Sequence, residues 1–340
     1  MSSEPSVGAH LLSRAQPTNK LRSGFAARVW QKALLVCGTF EWMTLLYLAV
    51  LNSLILIYRR NLPNGAIFFW AHASIATAIV ALCWANGCRH SSALLFLRHW
   101  YPMLLFLFFF EGLHYLVHLI RPGWLDTWLI QFDFALCGVH PTVWLEQFAS
   151  PVLNDLMQFA YMSYYFYGVV LCGFLFYRRE LRNFWCVMTA TAAAYYLGYA
   201  ISILFPIEGP YHTLAGLQRV QLTGGFFTAL MSFIESWGRV HGAAFPSAHV
   251  SGSFVALLGA WRYRRGLFWV FLPFFVVMLI STVYGRYHYV ADVLAGLLVG
   301  AIGWAIADLF LCRPACLSSA TSVMAPLVRT AAASRVSDLP

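Results

Sequence analysis

The feature that most constrains this chain is the recurrence of long apolar runs. Stretches of about twenty apolar residues, the length a helix needs to cross a hydrocarbon core, fall near Leu35–Tyr58, Ile67–Ala85, Trp100–Ile120, Leu156–Tyr177, Phe184–Phe205, Ser247–Trp261, Leu267–Tyr284 and Tyr289–Leu311. The sixth is short, and polar residues interrupt the third and fourth. Residues of the AVILMFWYC set make up 60% of the sequence and charged residues 10%, well beyond the apolar share of a soluble domain. The expected fold is all-α, a polytopic membrane helical bundle. Residues 33–98 hold two N-terminal transmembrane helices and residues 99–312 a larger core. The polar segments 1–32 and 313–340 read as a cytoplasmic tail and a disordered tail, and the first thirty residues carry no cleavable-signal pattern.

Most of the 22 Lys and Arg fall on one side when the eight spans are threaded in alternation. Lys20, Lys32, Arg178, Arg179, Arg262 and Arg265 share that side, whereas Arg59, Arg121, Arg219, Arg239 and Arg286 lie opposite. Positively charged loops stay in the cytoplasm, so both termini are expected to be cytoplasmic. The net charge of +9 is then a topology signal. No basic cluster alternates with aromatics as a nucleic-acid groove requires, and no nucleic-acid partner is expected. Of the eight cysteines, all but Cys137 sit in or beside the spans or on the inner side, which argues against a disulfide framework.

Two span mouths on the outer side are unusually polar. One reads "RVHGAAFPSAHVSGSF" and the other "STVYGRYHYVADVLAG". His288 and Asp292 are four apart at the start of the last span, hence on one helical face. An acid in a membrane helix needs a partner. The natural one is the imidazole N–H of His288, which fixes the tautomer and leaves the other ring nitrogen basic. His249 follows Pro246-Ser247 at a helix N-terminus, where free backbone N–H groups and the dipole favour anions, and Arg286 adds a charge that forks onto phosphate oxygens. A base, an acid and an anion cradle together suit phosphoryl transfer through a phosphohistidine. His288 would attack phosphorus, His249 would protonate the leaving oxygen, and Arg286 would hold the remaining oxygens. This chemistry calls for no metal and no cofactor. The position at the membrane–water boundary implies a lipid phosphoester as substrate, with water, another alcohol or a lipid as acceptor.

Pro246-Ser247-Ala248-His249 followed by Ser281-Thr282-x5-His288-x3-Asp292 resembles the second and third signatures of the type-2 phosphatidic acid phosphatase and vanadium haloperoxidase superfamily. The resemblance covers roughly Trp100 to Leu311. It implies a six-helix lipid-phosphatase-like core with two additional N-terminal transmembrane helices. It also implies His288 as nucleophile, Asp292 as its orienting carboxylate and His249 as general acid. Two departures stand out. The family arginine of the third signature falls on Thr282, and the first signature, Lys-x6-Arg-Pro, has no counterpart in "FPIEGPYHTLAG". Substrate-binding candidates are therefore Arg286, Ser247, Arg239 and Tyr211, with His212 and Arg219 as further replacements for the lost cations. The same losses, and "FDFALCGVHPTVWLEQF" with Asp133, Gly138 and Pro141, resemble the branch of inositol phosphorylceramide synthase and sphingomyelin synthase.

Plainer readings stand beside these. Ser247 is an N-cap first and a phosphate contact second. Arg286 is alternatively a snorkelling interfacial residue. His241 and His212, taken singly, read as interfacial hydrogen-bonding residues. Glu111, His114 and His118 share a face of the third span with the Glu-x-x-His spacing of di-iron carboxylate proteins. A membrane metal oxidase or desaturase needs a second such motif, and none is found. A transporter using Glu41 and Glu111 would require inverted repeats, and none is detectable.

Overall fold

The computed structural model describes residues 37–88, 91–238 and 240–312. The first two residues of the expected span Leu35–Tyr58, Arg239 and the segments 1–32 and 313–340 lie outside the described residues. The described chain is helical. Among those residues the extended pairing is a single isolated bridge, Ile207 with Ala243.

Seven helices or helix pairs are long and apolar enough to cross a membrane, so the chain is an integral multi-pass membrane protein. Two compact units divide it, one holding the chain up to Leu56 and Asn64–Leu105, the other Ile57–Pro63 and everything from Phe106. The first unit contains α1 (Thr39–Ile57), α2 (Gly65–Cys88) and the beginning of α3 (Ser92–Leu116). Its buried acid Glu41 meets Arg98 at 3.2 Å and accepts the Gly38 N–H at 2.7 Å. A carboxylate in an apolar helix persists where it is paired in this way, so Glu41 has a structural reason to be there.

The second unit holds α4 (Asp126–Cys137), α5 (Pro151–Met162), α6 (Tyr164–Tyr177), α7 (Leu181–Leu204), α8 (Phe226–Gly238), α9 (Ala248–Tyr263), α10 (Arg265–Tyr284) and α11 (Val290–Ala307). Helices α5 and α6 together form the broken fourth span expected from sequence. The break is at Ser163, whose hydroxyl turns back to the Ala160 carbonyl at 2.6 Å. Helix α9, expected as the sixth span, has 16 residues, about 24 Å of rise, and is not among the seven. Its surroundings explain the difference. It packs against α6, α7, α10 and α11 and buries Ser251, Gly252, Ser253 and Ala256. A helix enclosed by other helices needs small residues for close approach more than it needs apolar surface for lipid.

Helix α11 is brought against α9 by the same device. A Cβ at Gly296 would lie 2.8 Å from the Ser247 carbonyl, and one at Gly300 would lie 2.9 Å from that of Ser251. This i, i+4 glycine pair lets the two backbones come together, and with them the two polar mouths. Cys186 of α7 is disulfide-bonded, an exception within a set expected to form no disulfide framework, while Cys37, Cys83, Cys88, Cys137 and Cys172 are free thiols.

Candidate active site

The first turn of α11 is held from two directions. Asp133 on α4 accepts the Val290 and Ala291 N–H groups at 2.8 and 2.9 Å, satisfying two donors that a helix start leaves open. Asp292 reaches back to the Tyr289 N–H at 2.8 Å, and the buried Tyr289 hydroxyl donates to Asp126 at 3.0 Å. Burial raises the pKa of the Asp133 carboxyl, against which the two backbone donors hold it down. The Ser247 N–H donates to the backbone carbonyl of Asp292 at 3.1 Å. That bond ties the start of α9 to the start of α11 and sets His249 beside His288.

Four side chains then lie in sequence. Tyr161 Oη is 3.2 Å from His249 Nε2, His249 Nδ1 is 3.2 Å from His288 Nε2, and His288 Nδ1 is 3.3 Å from Asp292 Oδ2. One pair of neutral tautomers fits all three contacts. In it Tyr161 O–H donates to His249, His249 Nδ1–H to His288, and His288 Nδ1–H to the carboxylate. His288 Nε2 is thereby left as a lone-pair nitrogen. Burial pushes the His288 pKa down to about 4, against a smaller opposing pull from the Ala244 backbone, so at neutral pH this nitrogen is unprotonated.

The pair opens on a cavity of about 480 Å³ lined by Phe110, Glu111, Tyr161, His249, Tyr287 and His288, with residues of the 208–212 and 240–244 loops. The rings of Tyr161 and Tyr287 stack at 4.3 Å, and Tyr164 stands edge-on to His249 at 4.4 Å. His249 is half-buried, whereas Asp292 and His288 are buried.

The substrate-binding candidates are distributed less tightly. Ser247 is fully buried and caps α9 by accepting the Val250 N–H at 3.4 Å, the first of its two expected roles. Tyr211, exposed, lines the cavity mouth from the one-turn helix Pro210–Thr213. Arg286 also lines the cavity, but its Nη2 donates to Glu146 at 2.7 Å and to the Val220 carbonyl at 2.6 Å. Its Nε is buried with no protein partner, so part of the guanidinium is engaged and part is not. Arg239 lies outside the described residues.

Tyr161, Glu146 and Asp126 were not singled out from sequence, and Asp133 was noted only as part of a resemblance. Their partners lie 88, 140, 163 and 157 residues away, and such long-range contacts leave no local pattern to read. The acids within α4 of an otherwise apolar segment were the one available signal.

Comparison with known proteins identifies the family. The model of the PAP2 superfamily matches residues 127–306, which contain all four members of the Tyr161–His249–His288–Asp292 series. The chain is 25% identical over 176 residues to a PA-phosphatase related-family protein of Dictyostelium discoideum, covering 45% of this chain and 31% of that protein. The chain thus spans about a third of the length of that curated relative. No solved structure matches. With more than half of its length matched, and both histidine-bearing helix starts inside the match, the chain belongs to the PAP2 superfamily.

Proposed function

We propose that this membrane protein transfers the phosphoryl or phospho-head-group moiety of a lipid phosphoester through a phosphohistidine on His288. The carrying observation is the continuous series Tyr161–His249–His288–Asp292 at the end of a cavity. In the first half-reaction His288 Nε2 forms a bond to phosphorus as the bond to the leaving oxygen breaks. The leaving oxygen takes the Nδ1 proton of His249, which acts in its imidazolium form once the anionic substrate is bound and is left as a neutral ring, and Asp292 stabilises the charge that develops on the His288 ring. The phosphorus takes the place that His249 Nδ1 occupies 3.2 Å from Nε2, and His249 turns toward the leaving oxygen. In the second half-reaction an acceptor O–H returns its proton to His249, attacks phosphorus, and the P–N bond breaks.

Water as acceptor makes a phosphatase and an alcohol makes a head-group transferase. The departures from the lysine- and arginine-bearing signatures, and the sequence around Asp133, Gly138 and Pro141, favour the second, similar to inositol phosphorylceramide synthase. The distribution of Lys and Arg supports a site on the exoplasmic or periplasmic face with cytoplasmic termini. Purified protein in lipid, given phosphatidic acid in one assay and phosphatidylinositol with ceramide in another, tests the reading when free phosphate and new phospholipid are followed together. Released phosphate identifies a phosphatase and a new phosphosphingolipid a transferase. Silence in both removes the assignment.

A further inference from the structure

The described lining of the cavity is acidic. Among its described lining residues are three carboxylates, Glu111, Glu208 and Glu235, and one Arg or Lys side chain, Arg286. That arginine is already ion-paired to Glu146, a contact in which both side chains are largely buried. A phosphate entering beside these carboxylates is favoured by a further cation.

The same cavity holds a set of donors suited to supply one. The potential ligand atoms of Glu208, His212 and His241 all lie within 4.8 Å of one another, and all three residues line the cavity with His249 and His288. Two imidazoles and a carboxylate are the donor set of an open zinc site, whose fourth position takes water or a substrate oxygen. In a tetrahedral zinc site the donor atoms sit about 3.4 Å apart, so adjustments of side-chain torsions close the gap.

Backbone contacts hold the two loops that carry these donors. The bridge between Ile207 and Ala243 sets them side by side. The Asp126 carboxylate accepts the Glu208 and Gly209 N–H groups, both at 2.9 Å. Gly209 at φ 105° turns the chain into the one-turn helix that brings His212 round to Glu208. After His241, Gly242 adopts φ 90°, and a Cβ there would come within 2.8 Å of Trp124 and Val117. The rings of His212 and His241 are 5.0 Å apart. Donors fixed by their supporting shell in this way are what a metal site requires.

We propose that Glu208, His212 and His241 bind a zinc ion whose open position receives a phosphate oxygen of the substrate. The histidine chemistry at His288 needs no metal, and the ion serves to hold and neutralise the phosphate. This part of the inference rests on the phosphohistidine reading, whereas the metal site itself rests on geometry alone.

The test uses the full chain in lipid nanodiscs, stripped with a chelator and then titrated with zinc or cobalt. One zinc per chain is expected, with visible cobalt bands of a low-coordinate site that shift when orthophosphate is added. Glu208→Gln, His212→Ala and His241→Ala should each weaken zinc binding at least ~10-fold while the thermal unfolding of the stripped protein is unchanged. His288→Ala should bind zinc as the parent does and lose turnover. No zinc uptake, or uptake that none of the three substitutions weakens, overturns the site. Zinc binding through these residues with cobalt bands indifferent to orthophosphate overturns the phosphate role. A His288→Ala protein that still turns over with its zinc site intact contradicts the phosphohistidine reading instead.

Discussion

The two histidines at the cavity end are only 3.2 Å apart and are held in opposite ways. His288 is buried, follows a turn whose backbone N–H groups at 287 and 288 both bond the Thr282 carbonyl, and leans on a carboxylate that is itself anchored to the Tyr289 N–H. Asp133 and Asp126 brace the adjoining residues from α4. His249 is half-buried, with aromatic rings around it and Tyr161 as its second polar neighbour. A nucleophile benefits from fixed aim, because misplacement by an ångström is costly in rate. A general acid that must follow a departing oxygen benefits from room to turn. On the proposed mechanism, the contrast in support is a division of labour between the two rings.

That division is tested most severely at its rigid half. His288→Ala should abolish turnover, by ~10⁴-fold or more, with the protein still folded. Steady-state assay beside thermal unfolding checks both statements. Asp292→Asn should leave the ring in place but favour the wrong tautomer, at a cost approaching ~10⁴-fold in kcat. A loss confined to KM would detach Asp292 from the orienting role.

The less firmly anchored half should behave differently. His249→Ala should cost about 10²- to 10⁴-fold on a lipid substrate, and most of that should vanish on an aryl phosphate whose leaving group needs no proton. His288→Ala should be equally inactive on both. If His249→Ala is insensitive to the leaving group, the contrast between the rings fails. Tyr161→Phe, which removes only the distal contact, should cost about 10-fold or less, seen in kcat with KM unchanged.

The pH dependence sharpens the same contrast. The His288 value in the folded protein, about 4, lies below the ordinary 6.5 because of burial. Between those values the unfolded chain binds a proton that the folded chain does not, so stability falls as pH drops through this window. The ring stays neutral throughout it. On a phosphodiester substrate, which does not ionise in this range, the acid limb of kcat/KM is therefore expected near pH 4, and a limb near 6.5 would contradict the buried, neutral ring.

What could be read from the sequence follows the same boundary between local and distant contacts. The membrane helices were legible because apolar runs of that length have few other uses, and the His288–Asp292 pairing because i, i+4 residues share a face. His249 was legible from Pro246-Ser247 at a helix start. The brevity of α9 was not interpretable as enclosure, since its four neighbours come from separate parts of the chain. The ion pair of Arg286 with Glu146 and the splint from Asp133 join residues well over a hundred positions apart. Glu208, His212 and His241 form one group only after Ile207 meets Ala243.

The central claim is the covalent intermediate. The most direct measurement is rapid quenching of the protein with a substrate carrying ³²P in the transferred group, followed by treatment of the denatured chain with acid and with base. The mechanism predicts label on the parent protein that is released by acid and retained in base, as a phosphoramidate bond requires, and no label on His288→Ala. Turnover without any label on the parent, or label that persists when His288 is replaced, would contradict it.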